Sequence, residues 1–470
     1  MEVLQRTANR GSISDGGYDI DNSLKLEDDN SEGLTKNYSG DGDRRTWTYS
    51  TWIKRTELSQ DYYCLIFAAY TGIQIMSEDW LRVVLYDGTT SRYADTNQLF
   101  RDTSAWYHLV VTLDSTDSTA SDRVKIWING SRVTDFRTST YASMSQNDEF
   151  GLGEAASNYQ FGYWFAGGAN DRRFCGYVAE THYVNGTAED ADAFGEYDSD
   201  SGIWIPKEYE GSHGSKGFYF KFDDSSNLGK DSSSGGIGDF VLSNITSADQ
   251  STDTPTNNFC TFNPLMDQGN SPTISEGATK STGGGSNWNQ SWGSIGVKNG
   301  KWYYEMKVTN TSSTGYIGAS TTPAVSDYTN TVQLMYNTSF MLGQASRIDY
   351  YYWQSGSQVS NESTGWGTIS TNDIIGIALD LDSSTKKFIV YKNGSALNGS
   401  GTDLPTNMQN EFIFPLYVQY EDRADEINFG GYTTMSISSA ASDANGYGTF
   451  EYAPPSGYYA ICTKNLAEYG

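Results

Sequence analysis

Two glutamates late in the chain come closest to the carboxylate pair that a glycoside hydrolase requires. Retaining hydrolysis needs two carboxyl groups about 5–5.5 Å apart, and alternate residues of a strand face the same way. The segment EDRADE supplies Glu421 and Glu426, but Arg423 stands where the central acid of an E-x-D-x-x-E site belongs. A guanidinium there could pair with both glutamates and keep them ionised, which suits them poorly to proton donation. The segment therefore predicts a solvated acidic loop.

The three histidines form no recognisable catalytic or metal-binding pattern. His108 and His182 lie within strand-like runs, and His213 lies in the Gly- and Ser-rich segment GSHGSKG. Neither a Ser-His-Asp order nor a pair of histidines at metal-ligand spacing can be defended. The segment GGGSNWNQ (283–290) lacks the lysine and the helix start of a phosphate-binding loop. The sequence therefore predicts that the protein is not an enzyme.

Acidic loops offer a third kind of chemistry, the binding of a hard cation. The segments EDDNSEG (27–33), SGDGD (39–43) and EYDSDSG (196–202) supply carboxylates, although none has the spacing of an EF-hand. Simple solvation of these loops is the alternative. The sequence thus predicts no cofactor, and calcium binding by these loops is the alternative that stays open.

The four cysteines, Cys64, Cys175, Cys260 and Cys462, lack the spacing of a zinc site or a redox pair. Their apolar surroundings predict buried free thiols. A disulfide between Cys260 and Cys462 is the alternative, and a reducing compartment disfavours it.

Aromatic residues beside loops are the remaining candidates, and they indicate sugar binding. The chain contains 34 tyrosines and 12 tryptophans among many Asn, Ser and Thr residues. In RIDYYYWQSGS, strand alternation puts Tyr350 and Tyr352 on one face and Tyr351 and Trp353 on the other. The side chains that we predict to contact a ligand are Tyr352, Trp353, Trp366, Tyr163 and Trp164. Core packing is the alternative for each of them.

Charge and hydropathy argue against several classes of partner. The 470 residues include 58 acidic and 31 basic ones, for a formal net charge of −27. Such a surface repels nucleic acid and anionic lipid, because phosphate binding needs clustered Lys and Arg. The longest apolar stretches, such as CLIFAAY (64–70), are far shorter than a membrane span. With no signal-peptide pattern in the first residues, we expect cytoplasmic synthesis, no nucleic-acid partner and no membrane insertion.

The elements that position these residues are predicted to be strands. Helical periodicity is nearly absent, and short runs rich in Tyr, Trp, Val, Ile and Thr alternate with clusters of Gly, Ser, Asn and Asp. This pattern is typical of antiparallel sandwiches and jelly rolls. One helical turn is expected at TAEDADAF (187–194), with Thr187 as its cap. The length favours two domains.

The same hairpin pattern occurs once in each half. Residues 105–130 and 372–394 both run as strand, Leu-Asp, loop, strand, Asn-Gly. The Asn-Gly pairs at 129–130 and 393–394 suit the positive φ angles of a tight hairpin turn. We therefore predict two sandwich domains, each with this meander near its centre.

The first half resembles the laminin-G/concanavalin-A-like jelly roll over residues 20–190. The resemblance is carried by SLKLEDD (23–29), RRTWTYSTWIKR (44–55), WYHLVVTLD (106–114), VKIWING (124–130) and FCGYVAETHYVNG (174–186). Residues 217–246 look like the opening of such a domain, yet they follow its closing strand. Our hypothesis is a circular permutation in which 217–246 completes the first jelly roll, and the alternative is that they begin the second domain.

The second half resembles the SPRY fold, another concanavalin-like sandwich. The resemblance is carried by GKWYYEMKV (300–308), GYIGAS (315–320), the hairpin at 372–394, FIFPLYVQY (412–420) and EINFG (426–430). Together the two resemblances imply an all-β chain of two concanavalin-like antiparallel β-sandwich (jelly-roll) domains. The predicted divisions are an N-terminal arm (1–19), the first jelly roll (20–250), a linker (251–284), the SPRY-like sandwich (285–432) and a C-terminal segment packing on the second domain (433–470).

The order of these parts resembles structural and tail-fibre-like proteins of tailed phages, especially marine ones. The flanking segments 202–231, 254–265 and 452–466 share in this resemblance. It implies a virion protein, a tail-fibre or other receptor-facing component that recognises host surface glycans, assembled in the host cytoplasm and released by lysis. Its implied partners are other virion proteins, host polysaccharide and further copies of itself. The alternatives are a capsid decoration or fibre-scaffold protein that binds only virion proteins, and a glycan depolymerase.

Overall fold

The computed structural model separates into two compact units, residues 17–256 and residues 257–470. The regular secondary structure of both is nearly all antiparallel strand, which confirms the predicted all-β fold class. The structure describes residues 17–37, 39–58, 62–155, 157–165, 171–266, 268–269, 272–283, 288–321, 339–342, 347–354, 357–362, 365–421 and 423–470.

The first unit contains two large sheets around one core. Its described strands are β1 (Ser23–Leu26), β2 (Gly33–Asn37), β3 (Thr46–Arg55), β4 (Tyr62–Ala68), β5 (Thr71–Met76), β6 (Trp80–Tyr86), β7 (Ser91–Leu99), β8 (Tyr107–Asp114), β9 (Val124–Ile128), β10 (Ser131–Arg132), β11 (Phe136–Ser139), β12 (Asn158–Phe161), β13 (Tyr163–Phe165), β14 (Asp171–Arg173), β15 (Gly176–Asn185), β16 (Gly195–Tyr197), β17 (Trp204–Pro206), β18 (Phe218–Phe220), β19 (Val241–Ser243) and β20 (Gln250–Ser251). Sheet A has the order β10-β9-β8-β3-β15-β1-β20, with β18 also paired to β15, and sheet B has the order β11-β7-β6-β5-β4-β12-β2-β19. Two further hairpins pair β13 with β14 and β16 with β17. Short 3-10 turns lie at Ala120–Asp122, Thr140–Ser143, Ala191–Ala193 and Ser247–Asp249.

Residues 217–251 add strands to both sheets of the first unit. Strand β18 pairs with β15, β19 pairs with β2, and β20 pairs with β1. Segment 217–246 thus lies within the first unit, while the circular permutation stays a hypothesis about chain order. The expected turn at 187–194 is present as Ala191–Ala193, but the cap was wrong: Asp190 is the N-cap residue, and the Thr187 carbonyl instead accepts a hydrogen bond from Thr48 Oγ1 at 3.0 Å.

The second unit repeats the two-sheet plan. Its described strands are β21 (Gln268–Gly269), β22 (Thr273–Ser275), β23 (Lys280–Thr282), β24 (Trp288–Trp292), β25 (Lys301–Lys307), β26 (Gly315–Ser320), β27 (Ser339–Leu342), β28 (Tyr350–Gln354), β29 (Ser357–Glu362), β30 (Ile374–Asp380), β31 (Lys387–Lys392), β32 (Ser395–Ala396), β33 (Thr402–Asp403), β34 (Phe414–Tyr420), β35 (Glu426–Asn428) and β36 (Tyr459–Ala460). Sheet C has the order β21-β24-β34-β26-β27-β28-β29, and sheet D has the order β22-β23-β35-β25-β30-β31-β32, with β33 paired to β31 and β36 to β25. The 3-10 turns Pro264–Met266 and Thr406–Met408 and the helix α1 (Thr463–Tyr469) complete it.

The predicted linker, 251–284, is not a linker along much of its length. Strands β21, β22 and β23 lie within it and pair with strands of sheets C and D. Short polar strands of this kind carry too little apolar periodicity to be recognised from sequence. The C-terminal segment packs on the outer face of sheet D, where Phe450, Tyr458 and Cys462 cluster with Tyr303.

The two Asn-Gly hairpin turns are built in the same way. Both residues of each pair have positive φ: 49° and 75° at Asn129 and Gly130, 48° and 77° at Asn393 and Gly394. This confirms the predicted tight turns and explains the glycines. Each asparagine Oδ1 also accepts a hydrogen bond of 2.8 Å from a backbone N–H of the neighbouring strand, at His108 in one unit and at a residue of β30 in the other. The asparagine therefore ties the turn to a third strand.

Each turn glycine also lies against an aromatic ring of a segment that covers the sheet. A Cβ atom on Gly130 would lie 2.2 Å from the Trp204 ring, and one on Gly394 would lie 2.6 Å from the Tyr452 ring. The segment around Trp204 buries Trp127 and Val110 on the outer face of sheet A. One face of sheet A and one face of sheet D are thus covered by later parts of the chain.

Candidate functional site

The outer face of sheet B carries several partly exposed aromatic and charged side chains of the first unit. Along β6, Leu81, Val83 and Leu85 lie in the core. Since side chains alternate along a strand, Arg82 and Tyr86 lie on the opposite, outer face. The strands beside β6 add further polar and aromatic side chains to the same face.

Arg82 is held rigidly among these aromatic rings. Its Nε and Nη2 atoms donate to the two carboxylate oxygens of Asp95 at 2.9 and 2.8 Å. Its guanidinium carbon lies 4.9 Å from the ring centre of Trp80 and 4.5 Å from that of Tyr93. Arg137 stacks on the same tryptophan at 4.5 Å. A fixed planar donor beside aromatic rings can bind a ligand that has both hydroxyl groups and an apolar face.

Gln74 lies on this face with an unsatisfied amide. It pairs across the sheet with Cys64 on β4 and with Arg82 on β6. The side chain is 3% exposed, and its Nε2 atom has no hydrogen-bond partner among the described residues. A buried donor left unpaired is destabilising, and such donors are usually completed by water or a ligand. Gln74 therefore marks a polar position under the outer surface.

The predicted contacts Tyr163 and Trp164 lie on the β13–β14 hairpin at this face, and both are half-buried. The Trp164 ring stacks on Phe67 at 4.4 Å, and the Arg172 guanidinium lies 4.1 Å from its centre. Two groups at these distances cannot share one face of a ring, so they occupy opposite faces. Trp164 thus presents an edge to solvent, and its role in binding stays a prediction.

The other predicted contacts lie in the second unit. Tyr352 packs against the core with Tyr350 as its neighbour on that face, and its hydroxyl donates to Asn407 Oδ1 at 2.6 Å. Tyr351 belongs to a separate buried cluster, as alternation predicts. Trp366 is partly buried against the core. The side chain of Trp353 lies outside the described residues.

His108 forms a buried pair with Ser50 that has the wrong tautomer for catalysis. Trp204 Nε1, which can only donate, lies 2.9 Å from His108 Nδ1. The remaining proton of the neutral ring must therefore be on Nε2, which donates to Ser50 Oγ at 2.9 Å. Burial lowers the pKa of His108 to about 3, which keeps the ring neutral. In this tautomer the imidazole cannot take a proton from the serine.

No sequence pattern indicated that the other two histidines lie side by side. His182 Nδ1 lies 3.0 Å from His213 Nε2, although the residues are 31 positions apart. Glu180 lies beside them in a bulge of β15 with a φ of 46°, and its carboxylate accepts hydrogen bonds from Tyr18 at 2.8 Å and from Tyr219. Burial alone would raise the pKa of Glu180, but the neighbouring His182, whose Nε2 lies 3.3 Å away, and the hydrogen bonds from the two tyrosines outweigh it and lower the pKa. An ionised carboxylate with so many donors is a poor general acid.

The carboxylates of EDRADE form ion pairs other than those expected from the sequence. Arg423 is fully buried and pairs with Asp425 at 2.7 Å. Glu426 pairs with Lys307 at 3.1 Å. The expected pairing of Arg423 with Glu421 and Glu426 is therefore wrong, because the arginine side chain turns into the sandwich.

One of the three acidic loops lies in a cluster that could hold a cation. Ligand atoms of Glu27, Asp28, Glu57 and Cys175 lie within 4.8 Å of one another. Burial, and next the charge of Asp28, raise the pKa of Glu57 to about 7. The three carboxylates suit calcium, but a buried thiol with a raised pKa does not. The donor set as a whole therefore does not fit a calcium site.

The other two acidic loops use their carboxylates to hold the backbone. Asp43 Oδ1 accepts from the N–H groups of Arg45 and Thr46 at 2.8 and 2.9 Å. Asp198 Oδ1 accepts from the N–H and the hydroxyl of Ser201 at 2.7 and 2.6 Å. These contacts give both loops a structural role.

Among the described residues, all four cysteines are buried free thiols, and no helix is long and apolar enough to cross a membrane.

No curated protein sequence matches the chain. Similar solved structures include the SPRY domain of human HERC1, with 16% identity, 37% of this chain and 99% of that chain covered and a TM-score of 0.27. A heptameric SAP-like pentraxin of Limulus polyphemus has 15% identity, 37% and 80% coverage and a TM-score of 0.27. Domains LG4–5 of the mouse laminin α1 chain have 9% identity, 93% and 96% coverage and a TM-score of 0.27. Residues 28–181, within the first unit, match the laminin-G family model of the concanavalin A-like lectin/glucanases superfamily.

Proposed function

We propose that this protein binds glycans without cleaving them, through the outer face of sheet B. The observation that carries the proposal is the arrangement of Arg82, Asp95 and Tyr93, in which a bidentate ion pair is fixed against aromatic rings. The match of residues 28–181 to a superfamily of lectins and glucanases supports the same class of ligand. Sugar rings offer both the hydroxyl groups and the C–H face that this surface would bind.

Two observations favour binding over hydrolysis. The Ser50–His108 pair has the tautomer that cannot activate a nucleophile, as argued above. The acids of EDRADE are occupied by structural ion pairs, Glu426 with Lys307 and Asp425 with Arg423. These groups are therefore placed to stabilise the fold.

The biological setting that we propose is a tailed-phage virion, with this chain as a tail-fibre or other receptor-facing component. The support is the resemblance of the chain, from its first sandwich through its spacer to its second, to proteins of that kind. Assembly in the host cytoplasm, release by lysis and association with other virion proteins and further copies of the chain belong to this proposal.

A glycan array probed with the full chain tests the binding function. We expect binding to at least one bacterial surface polysaccharide, and a loss of at least tenfold in affinity for Arg82→Ala. Arg132→Ala is the control, because Arg132 lies on the edge strand β10 of sheet A and forms an exposed ion pair with Asp122. Equal losses for both variants, or no binding by the natural chain, would contradict the proposal. Sustained release of reducing sugar from a bound polysaccharide would show a hydrolase instead.

A further inference from the structure

The hairpin between β4 and β5 turns on two residues that are poorly suited to its shape. Strand β4 ends at Ala68 and β5 begins at Thr71, so Ala69 and Tyr70 form a two-residue turn. Their φ angles are 44° and 62°. Such turns favour Asn-Gly, and the left-handed region is unfavourable for other residues with a Cβ atom. The chain uses Asn-Gly at two other hairpins, so the choice of Ala-Tyr here calls for a reason.

Packing in the core does not supply that reason. Tyr70 is 65% exposed, and among the described residues it alone combines a positive φ with an exposed large hydrophobic side chain. Its ring meets Tyr86 edge-on, with the ring centres 5.4 Å apart and the planes at 66°. The Tyr86 hydroxyl donates to the Gly88 carbonyl at 2.8 Å, which fixes that ring. The two rings thus form an exposed corner at one end of the outer face of sheet B.

The surroundings hold the turn in its unfavourable conformation. Thr71 Oγ1 accepts hydrogen bonds from the N–H groups of Tyr86 at 3.0 Å and Gly151 at 2.9 Å. A Cβ atom on Gly151 would lie 2.3 Å from the Ala69 carbonyl oxygen, so only glycine permits this approach. Backbone strain that is fixed in this way by its neighbours is a recurrent feature of binding sites.

We propose that Tyr70 and Tyr86 form a stacking corner for one neutral sugar ring of the bound glycan, an inference that rests on the function proposed above. Two tyrosine rings offer a far smaller contact area than the roughly 800 Å² that each partner buries in a stable protein interface. Their area matches the size of a single sugar ring. The nearby acid Asp87 is already satisfied by Arg92 and by the N–H groups of Thr89 and Thr90. Because this carboxylate is already paired with a cation, the corner suits an uncharged sugar.

A pair of turn variants tests the proposal in the full chain. Ala69→Asn relieves part of the strain and keeps Tyr70, whereas Ala69→Asn with Tyr70→Gly creates the favoured turn and removes the ring. We expect both variants to raise the Tm of the first unit, by roughly 2–5 °C for the double variant. We expect Ala69→Asn to keep the natural affinity for neutral hexaoses of glucose, mannose and galactose, and the double variant to lose at least tenfold.

The outcomes are distinct. If the double variant is stabilised and still binds a neutral hexaose as the natural chain does, the corner is not the site and the proposal fails. It also fails if the natural chain binds only acidic glycans on the array, although the glycan-binding function would then stand. If the natural chain binds no glycan, both proposals fail. A Tm that does not rise in the double variant contradicts the strain on which the inference depends.

Discussion

Glu305 connects the C-terminal segment to the centre of the second unit, and its titration should govern the stability of that unit. The side chain is fully buried on β25. Its carboxylate accepts hydrogen bonds from the N–H groups of Glu451 and Tyr452 and from the Tyr303 hydroxyl, each at 3.0 Å. Burial nevertheless dominates and raises the pKa of Glu305 to about 7.

The sign of the pH effect follows from this raised pKa. A carboxyl group that holds its proton more tightly in the folded chain stabilises the fold fully below its unfolded pKa, and the contribution is lost as pH rises through the folded pKa. For Glu305 this pH window runs from 4.5 to about 7. The shift contributes roughly 3 kcal/mol to the free energy of unfolding. Burial also raises the pKa of Asp425, which acts in the same direction. Residues 257–470 contain no histidine to oppose the trend.

Urea unfolding of the full chain at about pH 5 and about pH 7.5 measures this effect. A brief maleimide pulse at one fixed pH, read by mass spectrometry at Cys260 and Cys462, reports the second unit alone, because both thiols are buried in it. We expect the urea concentration at the unfolding midpoint of the second unit to be higher at the lower pH, by roughly 1 M. Glu305→Gln should remove most of that difference, while the exposed control Glu411→Gln should leave it intact.

The glutamine variant should also lower stability at about pH 5 by about 1–3 kcal/mol, since its amide N–H must face a backbone donor. Equal midpoints for the natural chain at the two pH values would refute the reasoning. So would an unchanged pH dependence in Glu305→Gln, because the titrating group would then lie elsewhere.

Three further predictions concern individual contacts. Asn393→Gly keeps the turn but removes its side-chain acceptor, so chemical denaturation should show a loss of about 1–2 kcal/mol, and Asn393→Asp should also lose stability, because its carboxylate would lie beside that of Asp373, which accepts from the Asn393 amide at 2.8 Å. Lys54 and Asp253 form a buried ion pair of 2.7 Å; Lys54→Met should therefore cost the first unit about 3–5 kcal/mol in a urea titration, because it leaves a buried carboxylate without its counter-ion. Burial raises the pKa of Cys64 and of Cys175, so iodoacetamide should leave both unmodified in the native chain at about pH 8, and rapid alkylation would contradict the packing.

The strands were predictable because their signals are local. Alternating apolar residues and the two Asn-Gly pairs identify the hairpins at 105–130 and 372–394, and the structure has strands and turns there. What covers the sheets was not predictable. Trp204 and Tyr452 meet the turn glycines from distant parts of the chain, and no periodicity encodes which segment returns to which face.

In the candidate site, too, some features were predictable from the sequence and others were not. Alternation correctly separated Tyr351 from Tyr350 and Tyr352, which lie on opposite faces of sheet C. It could not show that Arg423 turns inward to Asp425, since Gly315 provides the space, and a Cβ atom there would lie 2.4 Å from the arginine Nε. Tyr70 was missed because the two turn positions, Ala69 and Tyr70, carry none of the residues that normally signal a tight turn.

Two departures from the usual rules of stability fall on one surface of the first unit. Gln74 buries an unpaired amide there, and Tyr70 holds an exposed ring on an unfavourable backbone. The unpaired amide nitrogen and the left-handed backbone each cost stability. Selection for stability alone would favour an apolar residue at the first position and Asn-Gly across the turn. Features of this kind are expected where a ligand completes the structure, so their presence on the outer face of sheet B, beside the Arg82–Asp95 pair, favours that face as the place of binding.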